Sequence, residues 1–368
     1  MRGVNLGGWL LLEPWITPVY FEEVSVGENL DKIVDEWTYA EFLDLDTYQQ
    51  RMIGHWSTFV TREDFEKLVQ AGISHVRVPV GYWYWDVDEG EPFPPPNMDD
   101  TDEASPLFYL KRALVWMDEL GLQASIDLHS GPGSQNGYDN SGRRGDVHWV
   151  DDSYPGNRYN IDRTVRILDK ISQTMRDWVD SAVFSIDTLY GIGLLNEPHI
   201  CGYESGNKFK DVCLRDFYPK GYEVVRQYFT PYETNVVMDI ASLGFGDYVG
   251  LFEEPDYSAV VLDAHSYQCF GGANHWAEEP DGWGKHMTES CRIGSDIAGS
   301  PLDVFTGEFS LAVTDCQKYL QGGFVTPYDP PSSSDEACRY FRIITNRSYK
   351  LGLSCAKLKL SCQFKWKM

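Results

Sequence analysis

Positive charge is scarce in this 368-residue chain: 31 Lys and Arg stand against 56 Asp and Glu, a formal net charge of −25. Such a surface repels phosphate backbones and anionic lipid headgroups, so neither nucleic acid nor a membrane is an expected partner. Long apolar runs are also absent, and none approaches the roughly 18 residues that a membrane span needs. Met1 is followed by charge and by the strand-like stretch Val4–Leu10 rather than by a basic and then apolar leader, so secretion is not readable from this N-terminus. There is no G-x-S-x-G, no P-loop and no H-E-x-x-H, which sets aside the serine hydrolases, NTPases and zinc proteases that carry them. Gly131, Gly133 and Gly137 miss the dinucleotide-binding spacing and follow a third strand. The eight cysteines (Cys201, Cys213, Cys269, Cys291, Cys316, Cys338, Cys355 and Cys362) contain no C-x-x-C pair and no Cys/His cluster of zinc-finger spacing. They read as disulfides of a secreted protein, with roughly a hundred connectivities open.

What is present suffices for a large core. Hydrophobic residues make up 42% and aromatics 14%, too much for a disordered chain. Short apolar, β-branched runs recur at Val4–Leu10, His75–Val80, Gln123–His129, Gly191–Glu197, Thr234–Ile240, Ala259–Tyr267 and Asp303–Phe309. Between them lie stretches of helical period: Phe65, Leu68 and Val69 after a Thr61 N-cap and before Gly72; Leu107, Leu110, Leu114 and Met117 before Gly121; and Val165, Leu168, Ile171 and Met175. Strands alternating with helices imply parallel pairing, an α/β class, and here an eight-stranded (β/α)8 TIM barrel with its eighth strand indistinct. The acidic, proline-rich stretch 86–106 reads as a solvated loop. Residues 1–336 form the expected barrel domain. Residues 337–368 hold eight Lys or Arg and no acid, an atypical basic segment.

In such a barrel the chemistry sits where strands end, and the strand ends here are polar. Arg77 lies in His-Val-Arg-Val-Pro, His129 closes Ile-Asp-Leu-His, Asn196 and Glu197 close Leu-Leu-Asn-Glu-Pro, His265 and Tyr267 close Asp-Ala-His-Ser-Tyr, and Glu308 closes Thr-Gly-Glu-Phe. A single acid beside Arg, His and Tyr is more often ion-pair structure than catalyst. Two carboxyls at one mouth have a further use. They can divide glycoside cleavage, one protonating the leaving oxygen while the other attacks the anomeric carbon or activates water. Trp9, Trp15, Tyr82, Trp83, Tyr138 and Phe270 lie near the same ends and are candidates to stack on sugar faces, although each alone is more often packing.

These residues carry a resemblance. The stretches 2–10 (Arg-Gly-Val-Asn-Leu-Gly-Gly-Trp-Leu), 12–15, 55–58, 127–145 (Asp-Leu-His-Ser-Gly-Pro-Gly-Ser-Gln-Asn-Gly-Tyr-Asp-Asn-Ser-Gly-Arg-Arg-Gly), 195–198, 265–268 and 306–310 resemble the fungal exo-β-1,3-glucanases of glycoside hydrolase family 5. The likeness runs from Arg2 to about Cys338, and the 127–145 loop is its most specific part. It implies a retaining double displacement releasing glucose from non-reducing ends of β-1,3-glucan, with Glu197 as general acid/base and Glu308 as nucleophile. Asn196 is then expected on the sugar 2-hydroxyl, Arg77 and Tyr267 against Glu308, and Glu13, His129 and Asn140 on the hydroxyls of the terminal glucose. His265 joins them from its strand end, and Tyr138 and Phe270 match an aromatic pair that clamps the next sugar. The pKa of Glu197 is expected above that of Glu308. Two carboxylates suffice, so no cofactor or metal is expected; a β-glucan is the expected partner of a secreted or cell-wall monomer.

One departure is plain. The family closes its barrel with an aromatic eighth strand, whereas Leu351–Met368 is basic and Cys-containing, and only Phe364-Lys365-Trp366-Lys367 is faintly similar. The start also looks short of the family's leader. Rival readings keep the machinery with another substrate (β-1,6-glucan, a cellulose-like chain or a steryl glucoside), or keep the pocket without turnover as a glucan-binding protein. Asn346 begins the one N-x-[ST] sequence.

Overall fold

The computed structural model describes residues 1–29, 32–150, 153–198, 210–240, 243–270, 273, 276, 279, 281–312 and 319–320. Seven parallel strands follow one another in sequence order around a single sheet: β1 (Gly3–Asn5), β2 (His75–Val80), β3 (Gln123–Leu128), β4 (Leu189–Gly193), β5 (Asn235–Asp239), β6 (Val260–Ser266) and β7 (Asp303–Phe309). Helices cover the outside: α1 (Pro18–Val24), α2 (Glu36–Phe42), α3 (Leu45–Phe59), α4 (Arg62–Gln70), α5 (Pro106–Leu120), α6 (Tyr159–Asp180), α7 (Tyr218–Tyr228) and α8 (Gly282–Ala298). The α/β barrel expected from the alternation is therefore present. Among the described residues β7 and β1 are not paired, and the seam between them is a groove of about 1230 Å³. The expected eighth strand and the basic segment 337–368 lie outside the described residues.

Local chemistry explains the helices. Thr61 caps α4, its N–H and hydroxyl both donating to Asp64. Ser105 caps α5 by accepting from the Leu107 N–H at 3.2 Å, and Gly121 ends it in the left-handed conformation, φ 70°. The apolar stripe of α6 buries Ile161, Leu168, Ile171 and Met175 against the sheet. Strand β2 is buried at every position, as a strand covered on both faces must be.

The first strand corrects the sequence reading. It ends at Asn5 rather than Leu10; Gly8 takes φ 70°, and the chain regains the sheet only at a bridge from Leu10 to Val80. The detour turns Glu13 toward the barrel mouth. The stretch 86–106 is also less solvated than its composition suggests, because the buried Arg163 of α6 ties it down through Asp86 (2.7 Å), Glu91 (2.8 Å) and Asp88 (3.1 Å). Cys213 is a buried free thiol, so the disulfide expectation does not extend to it. Cys201, Cys316, Cys338, Cys355, Cys362 and Asn346 lie outside the described residues. Among the described residues no helix is long and apolar enough to cross a membrane.

Glu36, at the start of α2, is fully buried and fastens the Glu13 segment: it accepts the Leu12 N–H at 2.6 Å and the Tyr48 hydroxyl at 2.7 Å. Burial raises its pKa to about 7, against those two hydrogen bonds. The folded state therefore holds this proton where the unfolded chain releases it, and stability falls as pH rises from about 4.5 to about 7. Glu36→Gln keeps an oxygen for Leu12 and offers an N–H to the Tyr48 oxygen. We expect it to leave stability at pH 4 unchanged and to raise it at pH 8 by about 1–3 kcal/mol, read from urea midpoints at the two pH values.

Candidate active site

Arg77, on β2 and 3% exposed, stands at the centre of the barrel mouth and uses its whole guanidinium. Nη1 donates to Glu308 Oε1 at 2.9 Å and to Asn5 Oδ1 at 3.1 Å; Nη2 donates to Asn196 Oδ1 at 2.7 Å and lies 3.1 Å from Asp127 Oδ1; Nε lies 3.2 Å from Asp263 Oδ2. Glu308 is held at both oxygens, the second accepting the Tyr267 hydroxyl at 2.8 Å. Burial raises the Tyr267 pKa and the Glu308 charge raises it further, so this phenol stays a donor.

Glu197 faces Glu308 from just beyond β4. Its Oε2 accepts from Asn140 Nδ2 at 3.0 Å, and its Oε1 lies 2.8 Å from His265 Nδ1. The same nitrogen lies 3.7 Å from Glu308 Oε2, and one oxygen of each glutamate falls within 4.8 Å of the other. Burial would lower the His265 pKa, but Asp239, Glu308 and Asp263 around it raise it well above the usual imidazole value. Glu197 itself takes φ 40°, a left-handed conformation uncommon outside glycine that the fold must hold in place.

The loop after β3 supplies Asn140 and is anchored at several points. Gln135 Nε2 donates to the carbonyls of His129 and Asn196, both at 2.9 Å, tying the ends of β3 and β4 together. Asp35 Oδ2 accepts the Arg144 N–H at 2.6 Å, and the Gly142 carbonyl accepts the Trp37 N–H at 2.8 Å. Gly142 is required, since φ is 77° and a Cβ would meet the Trp83 ring at 2.7 Å. His129 is buried with Nδ1 2.7 Å from Asp127 Oδ2; burial opposes its charge and Asp127 outweighs burial. Glu13 is buried too, accepting from Trp15 Nε1 at 3.1 Å and Gly8 N–H at 3.2 Å, and burial brings its pKa to about 7 against the pull of His129.

The structure brings Arg77, Asn196, Glu197, His265, Tyr267 and Glu308, with Asn140 and His129, into one network of contacts, and Glu13 stands beside it on Trp15 and the Gly8 N–H. Tyr138 and Phe270 stand out at the rim, 54% and 41% exposed. Three aromatic candidates are corrected: Trp9, Tyr82 and Trp83 are buried packing residues, Trp83 stacked on Phe93 at 4.1 Å, and offer no free face. Trp15 does line the groove. Asn196 Nδ2 is buried with no hydrogen-bond partner among the described residues. The sequence reading passed over Asp127, Asp239 and Asp263, the acids beneath the site. Asp127 and Asp263 were legible as the residues two before His129 and His265 on the same strand face. Oxygens and nitrogens of Glu197, His265 and Glu308, and of Asp239, Asp263 and His265, are close enough to hold a cation. Arg77 contacts one acid of each group, Glu308 at 2.9 Å and Asp263 at 3.2 Å.

A parallel α/β barrel with two carboxylates at the strand ends, each fully hydrogen-bonded and facing the other, belongs to the class of glycoside hydrolases. No family model matches the chain. It is 38% identical over 329 residues to the probable glucan 1,3-beta-glucosidase A of Neosartorya fischeri, covering 89% of this chain and 69% of that protein. The glucan 1,3-beta-glucosidase of Lachancea kluyveri is 33% identical over 345 residues, 93% and 72% of the two chains. Among solved structures, the rutinosidase from Aspergillus niger aligns with a TM-score of 0.61 at 21% identity, over 85% of this chain and 80% of that one, a likeness of fold. The chain belongs to the glucan 1,3-β-glucosidase family.

Arg77 satisfies five partners that no single ammonium can reach together. Arg77→Lys is expected to cost about 2–4 kcal/mol in urea unfolding at pH 7, because the ammonium keeps the charge but cannot replace all the charge-assisted hydrogen bonds to Asp127, Asp263 and Glu308.

Proposed function

We propose that the protein is a retaining exo-β-1,3-glucanase that frees glucose from the non-reducing ends of β-1,3-glucan, working in a secreted or cell-wall setting. The observation that carries the retaining mechanism is the separation of the two carboxylates. An oxygen of Glu197 lies within 4.8 Å of one of Glu308, close to the roughly 5 Å of retaining enzymes and short of the 6.5–9.5 Å or so that leaves room for an inverting water. The names of the relatives, a probable glucan 1,3-beta-glucosidase A and a glucan 1,3-beta-glucosidase, support this linkage and substrate.

In this reading Glu308, fixed by Arg77 and Tyr267, attacks the anomeric carbon and forms a glycosyl ester while the departing oxygen takes the Glu197 proton. A water then gives its proton to Glu197 and attacks the same carbon, releasing Glu308 and glucose as the β-anomer. The unpartnered Asn196 Nδ2 is the donor for the sugar 2-hydroxyl, a contact that strengthens as the transition state forms. Glu13, His129 and Asn140 hold the remaining hydroxyls, and Tyr138 and Phe270 flank the next sugar. With its proton on Oε2, Glu197 keeps Oε1 facing His265 Nδ1 at 2.8 Å. Residues 1–336 constitute the catalytic domain.

Proton NMR of laminarin digestion tests this directly. β-Glucose appearing first is the expected result; β-configured oligosaccharides would move the action to endo, and α-products would overturn retention. A folded protein with no turnover on laminarin would favour the glucan-binding reading. Glu308→Ala and Glu197→Ala are each expected to lower turnover by about 10³-fold or more, and a Glu308→Ala enzyme with full activity would remove the nucleophile assignment.

A further inference from the structure

Asp239 and Asp263 end up side by side beneath the two glutamates. They are direct partners in the β5–β6 register, and both are buried. Each receives a backbone N–H from the segment carrying one glutamate. Asp239 Oδ2 accepts from Glu197 itself at 2.9 Å, and Asp263 Oδ1 accepts from Gly307, the residue before Glu308, at 2.7 Å. Between them stands His265, whose Nε2 is 3.5 Å from Oδ2 of both.

Both backbones so held are irregular. Glu197 sits at φ 40°. On β7, Phe305 pairs with Asp263 and Glu308 with His265, so Thr306 and Gly307 stand opposite Ala264 alone. Such a bulge re-aims the side chain that follows it, here Glu308. Gly307 is obligatory, because a Cβ there would fall 2.2 Å from Asp263 Oδ1. The far end of β5 is fixed in turn by the Tyr218 and Tyr248 hydroxyls, which donate to the Asp239 carbonyl at 2.6 and 3.2 Å.

We infer that Asp239 and Asp263 are a matched pair of positioning residues, Asp239 setting the aim of the acid/base Glu197 and Asp263 that of the nucleophile Glu308, with His265 held between them. This rests on the double-displacement reading above, and it assigns the two acids to different chemical roles. Loss of Asp239 should therefore impair proton transfer and spare nucleophilic attack, whereas loss of Asp263 should impair attack whatever the leaving group.

The test compares kcat/KM on laminarin, whose leaving oxygen needs a proton, with kcat/KM on 2,4-dinitrophenyl β-glucoside, whose phenolate leaves without one. Asp239→Ala is expected to lose about 100-fold on laminarin and less than about 5-fold on the aryl glucoside. Added azide, which needs no general base, should raise its kcat on the aryl glucoside and yield β-glucosyl azide. Asp239→Asn, which keeps an acceptor for the Glu197 N–H, should show the same pattern at about a tenth of the size. Asp263→Ala is expected to lose about 100-fold on both substrates with no azide effect, and Asp263→Asn to recover part of that loss. Equal losses on both substrates in whichever Asp239 variants keep the wild-type melting curve, or no loss at all, would overturn the pairing. Glu308→Ala is run alongside on both substrates. If it keeps its turnover, the double-displacement reading has failed, independently of the aspartates.

Discussion

The buried guanidinium of Arg77 is the point on which the mouth of this barrel depends. Six acids crowd there (Glu13, Asp127, Glu197, Asp239, Asp263 and Glu308), and like charges at such distances repel by several kcal/mol once water is excluded. Only cations and donors can hold them together. Arg77 pairs with three of the six, His129 with Asp127, and His265 stands among Asp239, Asp263 and the two glutamates. The burial that makes an unpaired acid costly makes this paired set rigid, because each member has its geometry fixed by a charged neighbour. Glu13 and Asp239 show the alternative: with dipoles as their bonded partners, burial outweighs the nearby His129 and His265 and raises both pKa values to about 7.

The layers above and below Arg77 have different tasks. Upper groups line the barrel mouth: Glu197, Glu308, Tyr267, Asn140 and the amide of Asn196. Lower groups (Asp127, Asp239, Asp263) hold strand ends and cations. A strand places a side chain on the inner face at every second residue, so one strand can supply both layers. Strand β3 does so with Asp127 and His129, and β6 with Asp263, His265 and Tyr267 just past its end. This is why function in such a barrel can be read from the last few residues of each strand.

That regularity also explains how much was legible in the sequence. Five of the seven strands fall within one residue of their apolar runs, β4 lies two residues earlier at its start and four at its end, and the strand-end polar residues meet, because burial on both faces and the parallel crossover leave few alternatives. The first strand escaped because Gly7 and Gly8 lie inside an apolar run whose composition suits a strand equally well. The aromatics near strand ends could not be sorted by type: Trp83 and Phe270 look alike in sequence, and only the position of Phe93 decides that one ring is packed and the other open. Of the lower acids, Asp127 and Asp263 stand in Asp-Leu-His and Asp-Ala-His, where the histidine marks the inner face, whereas Asp239 stands in Val-Met-Asp-Ile with nothing beside it to mark a role.

Irregular backbone concentrates where the two glutamates lie, and this is a consequence of the barrel. A regular strand directs its residues inward or outward, perpendicular to the sheet. Two carboxylates on strands separated by β5 and β6 cannot be brought face to face by regular geometry alone. One strand must turn at its end and another must bulge, which are the left-handed Glu197 and the extra residue before Glu308. Both deviations carry a local cost, of order 1–3 kcal/mol for the first. Both are held by an aspartate on the strand between or beside them, so the convergence of the pair and the acidity of its floor are one structural requirement.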